Sequence, residues 1–312
     1  MTVVNHGFVG FGPSGHGLPM YPDVTSACMA PFSIRSAWRY QGTLGLIQSV
    51  RDRFTGTRSL LADEALAVAN GANGLEVGGP SGRFRRRGML PLYPVMSSLD
   101  NVNFAVDTLW EHGLEEGAQY APAGIPVGTQ FVGEATDLGD IAEASYDLVL
   151  SSHCIEHIAN PLRALREWRR VCRLGGYLCL VVPHRDGTFD RRRPVTSIEH
   201  FRSDARRNVD ECDETHFDEV IRLHDLRKDP GVRSLRDLKL RVAKNRTVRG
   251  VHHHVFDLRS AVLLTIEAGW TPIAAEARRP FDIVILAQHS ARVGSSCDLN
   301  SIVKGSPFQS DR

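Results

Sequence analysis

Apolar positions along this chain follow two spacings, and the switch between them marks out its elements. Short apolar runs closed by small or polar residues recur at Gly74–Val77, Tyr93–Leu99, Thr129–Val132, Tyr146–Leu150 and Tyr177–Val182. Runs of this length and bounding predict strands. A second spacing begins at Pro161, where Leu162, Leu165, Trp168 and Val171 recur every three or four residues until Gly175-Gly176 ends the stretch, which predicts a helix. Asn103 to Glu111 predicts a shorter one. Asp257 caps a helix from Leu258 to Ala268 that Gly269 ends. Trp270–Ala275 and Phe281–Ala287 then predict two strands joined by a short turn, hence an antiparallel pair at the sheet edge. Ahead of the first strand, Arg35 to Asp52 (Trp38, Leu44, Ile47 and Val50 inward) and residues 58–69 predict two helices. Strands alternating with helices in this way predict an α/β fold with a parallel, doubly wound sheet.

The pattern breaks over residues 184–256, which are dense in charge and histidine and too long for a plain connection, so an inserted lid is expected there. The expected divisions are an N-terminal arm and helices (1–70), a first half of the α/β domain (71–183), the insertion (184–256), the last helix and edge strands (257–289), and a frayed tail (290–312). At 312 residues and 42% hydrophobic positions, the chain can bury a substantial core. The formal charge of +1 gives no reason to expect nucleic acid or an anionic membrane as partner. No apolar run is long enough to span a bilayer and no secretory leader is evident. Six scattered cysteines without a Cys-x-x-Cys pair point to a reducing, cytoplasmic setting.

Candidate chemistry starts at Leu75-Glu76-Val77-Gly78-Gly79-Pro80-Ser81-Gly82, a strand end opening into a small-residue turn where a ligand can approach bare backbone. The glycines meet neither Gly-x-Gly-x-x-Gly nor a P-loop. Glu76 can anchor the loop or a ligand. Asp100, with Asn101 after it, lies about 20 residues beyond that turn, where an acid at a strand tip can hold ribose hydroxyls. His153 and His184 follow strands whose carboxyl ends should face a pocket. Arg83–Arg87 reads as a solvated basic loop or as a contact to an anionic or sugar-rich substrate. His153-Cys154-Ile155-Glu156-His157 matches His-x-x-Glu-His, an inverted zinc-peptidase pattern, but it follows a strand and precedes Pro161, leaving no long helix to carry it.

Taken together the chain resembles the class I S-adenosylmethionine-dependent methyltransferases. The marks are Leu-Glu-Val-Gly-Gly-Pro-Ser-Gly, Asp100, Gly133-Glu134-Ala135, Tyr146 to His153, Ile155-Glu156-His157-Ile158 before Asn160-Pro161, and Arg170 to Gly176. The resemblance implies a Rossmann-like sheet of seven strands with an antiparallel edge strand. It implies that Glu76, Gly78, Gly79 and Gly82 line the methionine part of S-adenosylmethionine, that Asp100 and Asn101 lie at the ribose and Glu134 and Ala135 at the adenine, and that Ser151, Ser152 and His153 lie beneath the sulfonium. Pro80 stands where the family has its central glycine and removes a backbone N–H.

Leu99-Asp100-Asn101-Val102-Asn103-Phe104 and Val251-His252-His253-His254-Val255-Phe256-Asp257 resemble members that act on glycans and glycosylated metabolites. The expected reaction is therefore O-methylation of a saccharide or glycosylated small molecule, with His153 or His184 as general base. His200, His216, His252 and His254 are candidate substrate contacts. In an extended segment His252 and His254 would share a face and His253 take the other. A divalent metal such as Mg is admitted by the Asp and His residues of the insertion, though no ligand template is met. A catalytically silent binding or scaffolding protein is the alternative. The surfaces are compatible with a homodimer.

Overall fold

The computed structural model describes residues 58–122, 124–291 and 299–311; the helix expected over 35–52 and the arm over 1–32 lie outside the described residues. Helix α1 (Ala62–Ala69) leads into β1 (Asn73–Val77), and β2 (Ser98–Asn103), β3 (Gln119–Tyr120), β4 (Gly128–Val132) and β5 (Tyr146–Ser152) follow. Helix α2 (Pro161–Val171), with Pro161 at its first turn and Asn160 accepting from the Arg163 amide, runs into the long β6 (Cys172–Pro183). After the insertion come α7 (Leu258–Glu267), β7 (Thr271–Arg278), β8 (Asp282–Gln288), α8 (Leu299–Ile302) and β9 (Val303–Gly305).

The sheet has the order β3-β4-β2-β1-β5-β6-β8-β7-β9. Strands β4, β2, β1, β5 and β6 are parallel, and β8 runs antiparallel between β6 and β7. The α/β class and the antiparallel pair are as expected. Among the described residues nine strands replace the expected seven, because β3 adds antiparallel to β4 and β9 adds parallel to β7. The tail is thus not frayed over 299–311: Phe308 and Ile302 are buried in the main core.

One face of the sheet is packed by α2 and α7 through Leu162, Leu165, Trp168, Val262 and Leu264. The other is covered by α1 and an irregular stretch bearing Phe84, Leu90, Leu92 and Tyr93. Two predicted elements differ. The strand expected over 93–99 is a 3₁₀ turn at Tyr93–Val95, where Pro94 lacks a ladder donor; the strand starts at Ser98 instead. No helix forms over 103–111, where the Thr108 hydroxyl accepts from the Trp110 and Glu111 amides and Asp107 from the Gly113 amide. Such local side-chain bonds offer the backbone an alternative to a helix.

The insertion carries α3 (Ile198–Arg207), α4 (Phe217–Leu223), α5 (Leu235–Ala243) and α6 (Asn245–Val248). Val220, Val232, Leu238, Val242 and Val251 form its own small core, while Phe201 and Phe256 join the main one. His252, His253 and His254 are buried, and each ring is matched by an acid, amide or carbonyl beside it. Among the described residues no helix is long and apolar enough to cross a membrane.

Candidate active site

The carboxyl ends of β1, β2, β4, β5 and β6 meet at one edge of the sheet, joined there by the start of β8. The glycine turn after β1 is held from inside. Glu76 is fully buried, with Oε1 accepting from the Ser81 amide at 3.0 Å and Oε2 from the Tyr93 hydroxyl at 2.6 Å. Burial pushes its carboxyl up to about 7. A Cβ on Gly79 would lie 2.3 Å from the Glu76 carboxyl carbon, and one on Gly78, at φ +81, 2.8 Å from Cys154 Sγ. Neither site admits a side chain. Gly82 opens the short turn that follows, capped by Ser81.

Asp100 lies inside β2, three positions before its end, since Leu75 pairs with Asp100 and Val77 with Val102. Its oxygens accept from the Thr129 amide and the Tyr146 hydroxyl, both at 2.7 Å. Asn101 is buried in mid-strand against Gln130. The residue at the strand's tip is Asn103, whose amide donates to the Gly79 carbonyl at 3.2 Å. Beyond β4, Gly133 has open space where a Cβ would stand, Glu134 is paired with Arg249 of the insertion at 2.6 Å, and the Ala135 carbonyl accepts from Trp168. Arg249 also pairs with Glu211 and lies over the Phe104 ring. At the end of β5 the Ser151 hydroxyl donates to the Val77 carbonyl, whereas the buried Ser152 hydroxyl has no partner.

His153, at φ 53, turns its ring toward β8. Its Nε2 lies 2.9 Å from Asp282 Oδ1, the same oxygen to which Arg83 donates at 2.7 and 2.8 Å. Burial, then the Arg83 cation, push the imidazole down to about 4 against the pull of Asp282. Burial alone would raise the Asp282 carboxyl, but Arg83 and His153 outweigh it and hold it well below the usual carboxylate range. His153 is therefore neutral near pH 7, with 21% of its side chain exposed. With Nε2–H donated to Asp282, Nδ1 carries the free lone pair. Nδ1 lies 3.7 Å from Glu156, a fully buried acid without a hydrogen-bond partner at either oxygen. His157 and His252 complete a ring around that acid at 3.9 and 4.0 Å. Burial pushes Glu156 up to about 7.

His184, the other expected base, is fully buried. Its Nδ1 accepts from the Asp186 amide, Nε2 lies 3.0 Å from Asp311, and Phe308 stacks on the ring. Both nitrogens are engaged beneath the C-terminal segment. Of the insertion histidines, His252 joins the Glu156 ring, its Nδ1 2.5 Å from Asp190. His200, His216 and His254 gather apart, around Asp204, with His253 beside His216. His252 and His254 thus serve different clusters, because residues 251–255 follow no regular strand. The His-x-x-Glu-His pattern occupies a single 3₁₀ turn over Ile155–His157, without the helix a zinc peptidase needs. Tyr93 and Asp282 are residues of this arrangement that pattern reading missed, while Arg83, read as a solvated residue or a substrate contact, pairs with Asp282 instead.

Residues 104–180 match the methyltransferase domain family. That stretch of the chain, about a quarter of its length, is similar to a methyltransferase domain. No curated protein matches the chain in sequence. Among solved structures, an S-adenosylmethionine-dependent methyltransferase from Mesorhizobium loti is 12% identical, over 73% of this chain and 95% of that one, with a TM-score of 0.41. One from Methanosarcina mazei is 16% identical over 76% and 100%, with a TM-score of 0.42. The trans-methyltransferase CalH, solved with S-adenosylhomocysteine, is 14% identical over 85% and 64%, at 0.42. The open space beside Gly133 and the unpartnered Ser152 hydroxyl lie at the carboxyl ends of neighbouring parallel strands.

Proposed function

We propose that this S-adenosylmethionine-dependent methyltransferase methylates a hydroxyl of a saccharide or glycosylated small molecule, with His153 as the general base. The observation that carries this reading is the Arg83–Asp282–His153 chain at the carboxyl end of β5. When bound, the donor supplies an electrophilic methyl on sulfur. The protein's part is alignment and removal of one proton. Gly78 and Gly79 let the turn pack tightly on Cys154 and Glu76, Asn103 takes the strand-tip position toward the donor's ribose, and the Ser152 hydroxyl is free to bond it. Asp282 holds Nε2–H of His153, and Nδ1 takes the hydroxyl proton as the oxygen attacks. Arg83 spends part of the Asp282 charge, which keeps the imidazole unprotonated. His252, Glu156 and Asp190 form a polar wall suited to an acceptor rich in hydroxyls.

The test is S-adenosylhomocysteine release with labelled donor against a panel of saccharides and glycosides, for wild type and His153→Ala. Loss of at least a hundredfold in kcat in the variant, with donor affinity retained, supports the reading; an unchanged kcat removes His153 from the chemistry. A second reading, donor binding without transfer, draws on the Ser81 amide being used inside the turn and on Glu134 being tied to Arg249. Donor binding with no acceptor methylated across the panel would favour it.

A further inference from the structure

We propose that His200, Asp204, His216 and His254 form a tetrahedral site for a divalent transition metal, zinc by ligand chemistry, that clips the insertion's own elements together. One ligand atom from each of these side chains lies within 4.8 Å of every other. His200 Nε2 is 3.2 Å from His216 Nε2 and 3.2 Å from Asp204 Oδ2. Zinc bonds of about 2.0–2.1 Å to nitrogen and oxygen put tetrahedral ligands about 3.4 Å apart. The shortest separations are already there.

The cluster also leaves lone pairs unanswered. Asp204 is 3% exposed and its Oδ2 has no hydrogen-bond partner. His254 is 1% exposed; its Nε2 lies 3.1 Å from the Ala159 carbonyl, while Nδ1 has no partner. Donation of one ring N–H to a carbonyl is the usual outer support of a metal-bound histidine, since it sets the tautomer and leaves the other nitrogen free. Buried acceptors without donors are costly, and a cation answers them together. Three imidazoles and a carboxylate in tetrahedral array suit zinc better than magnesium, which takes six oxygens.

The ligands stand on fixed supports. His200 and Asp204 are one turn apart on α3, which Ser197 caps and Asn208 ends in the left-handed region. His216 occupies the N-cap position of α4. His254 is tied through its amide to the Glu156 carbonyl. An ion here would join α3, α4 and the segment leading to α7. His200, with 40% of its side chain exposed, is the side of entry.

The whole chain would be purified from zinc-supplemented medium, desalted, and its metal counted by plasma mass spectrometry. One equivalent is expected, removed by a strong chelator with a fall in Tm, and replaceable by cobalt(II) with the visible absorption of a tetrahedral nitrogen–oxygen site. His200→Ala, at an exposed ring the fold tolerates, should weaken zinc binding at least tenfold, and Asp204→Asn likewise; Glu156→Gln should leave the metal content unchanged. No retained zinc and no Tm response to zinc or chelator would overturn the proposal. So would zinc that survives His200→Ala and Asp204→Asn but is lost in Glu156→Gln, which would place the ion in the Glu156, His157 and His252 ring.

Discussion

Replacing Arg83 by Ala tests the protonation of His153 without touching the imidazole. In the native site the guanidinium and the imidazole share Asp282 Oδ1, at 2.7 and 2.9 Å, so the two cations-to-be lie within about 5 Å of each other. Their repulsion at that distance is about 0.8 kcal/mol in bulk water and about 3 kcal/mol at the effective dielectric of a protein surface. The Arg83 side chain is 28% exposed, which places the effect between these limits. At about 1.4 kcal/mol per unit, its removal should raise the His153 pKa from about 4 by roughly 1–2 units, toward the ordinary 6.5.

The assay is an NMR titration of the His153 ring protons, assigned by their loss in His153→Ala, so no acceptor need be known. The stability sign follows from the same shift. The native imidazole refuses a proton that the unfolded chain binds below pH 6.5, so stability is lost as pH falls from 6.5 through 4. In Arg83→Ala that window narrows from its lower end. A wild-type His153 that titrates at or above 6.5, or a variant whose pKa moves down, would refute the reasoning.

Glu76 has the opposite sign: with its folded pKa raised to about 7 from 4.5, its contribution is full below pH 4.5 and lost as pH rises through 7. Glu76→Gln should therefore remove up to about 3 kcal/mol of pH-dependent change between pH 4.5 and 8, read by urea denaturation at each pH. Gly79→Ala should cost about 1–3 kcal/mol by driving a methyl into the Glu76 carboxylate, with wild-type stability as the refuting result. Asp100→Ala should cost about 1.5–3 kcal/mol in folding while leaving S-adenosylhomocysteine affinity within threefold. Asn103→Ala should do the reverse, weakening that affinity by about tenfold in calorimetry, or about 1.4 kcal/mol.

The elements that pattern alone recovered, β1, β4, β5, α2, α7 and the β7–β8 pair, have apolar spacing that local sequence states outright. Strand β2 was misplaced because its polar residues are poor strand formers in isolation. Each is satisfied across the sheet instead: Asp100 by Thr129 and Tyr146, Asn101 by Gln130, Asn103 by Gly79. Tyr93 was read as a strand opener, yet its hydroxyl serves Glu76. His153 was legible as a histidine after a strand, while its partner Asp282 lies 129 residues on and gives no local sign. His184 looked equivalent by position, and only the fold-back of 306–311 shows that Asp311 and Phe308 seal it. The insertion histidines misled because alternation along a strand was assumed where the backbone follows none.

The reversed direction of β8 has a consequence for how this protein tolerates change in length. A parallel strand delivers its end to the active edge; β8, antiparallel to β6 with Pro183 opposite Asp282, delivers its beginning. That is how an aspartate arrives beside His153 at all. Side chains alternate between the two faces of a strand, so a one-residue deletion at Arg279-Pro280-Phe281 that slid the pairing by one place would exchange Asp282 for Ile283. The carboxylate would go into the apolar layer and an isoleucine would face Arg83. Homologous turns at this point should therefore vary in sequence far more readily than in length, and an engineer who wishes to loop out this hairpin must add residues beyond the last rung of the β6–β8 ladder, never within it.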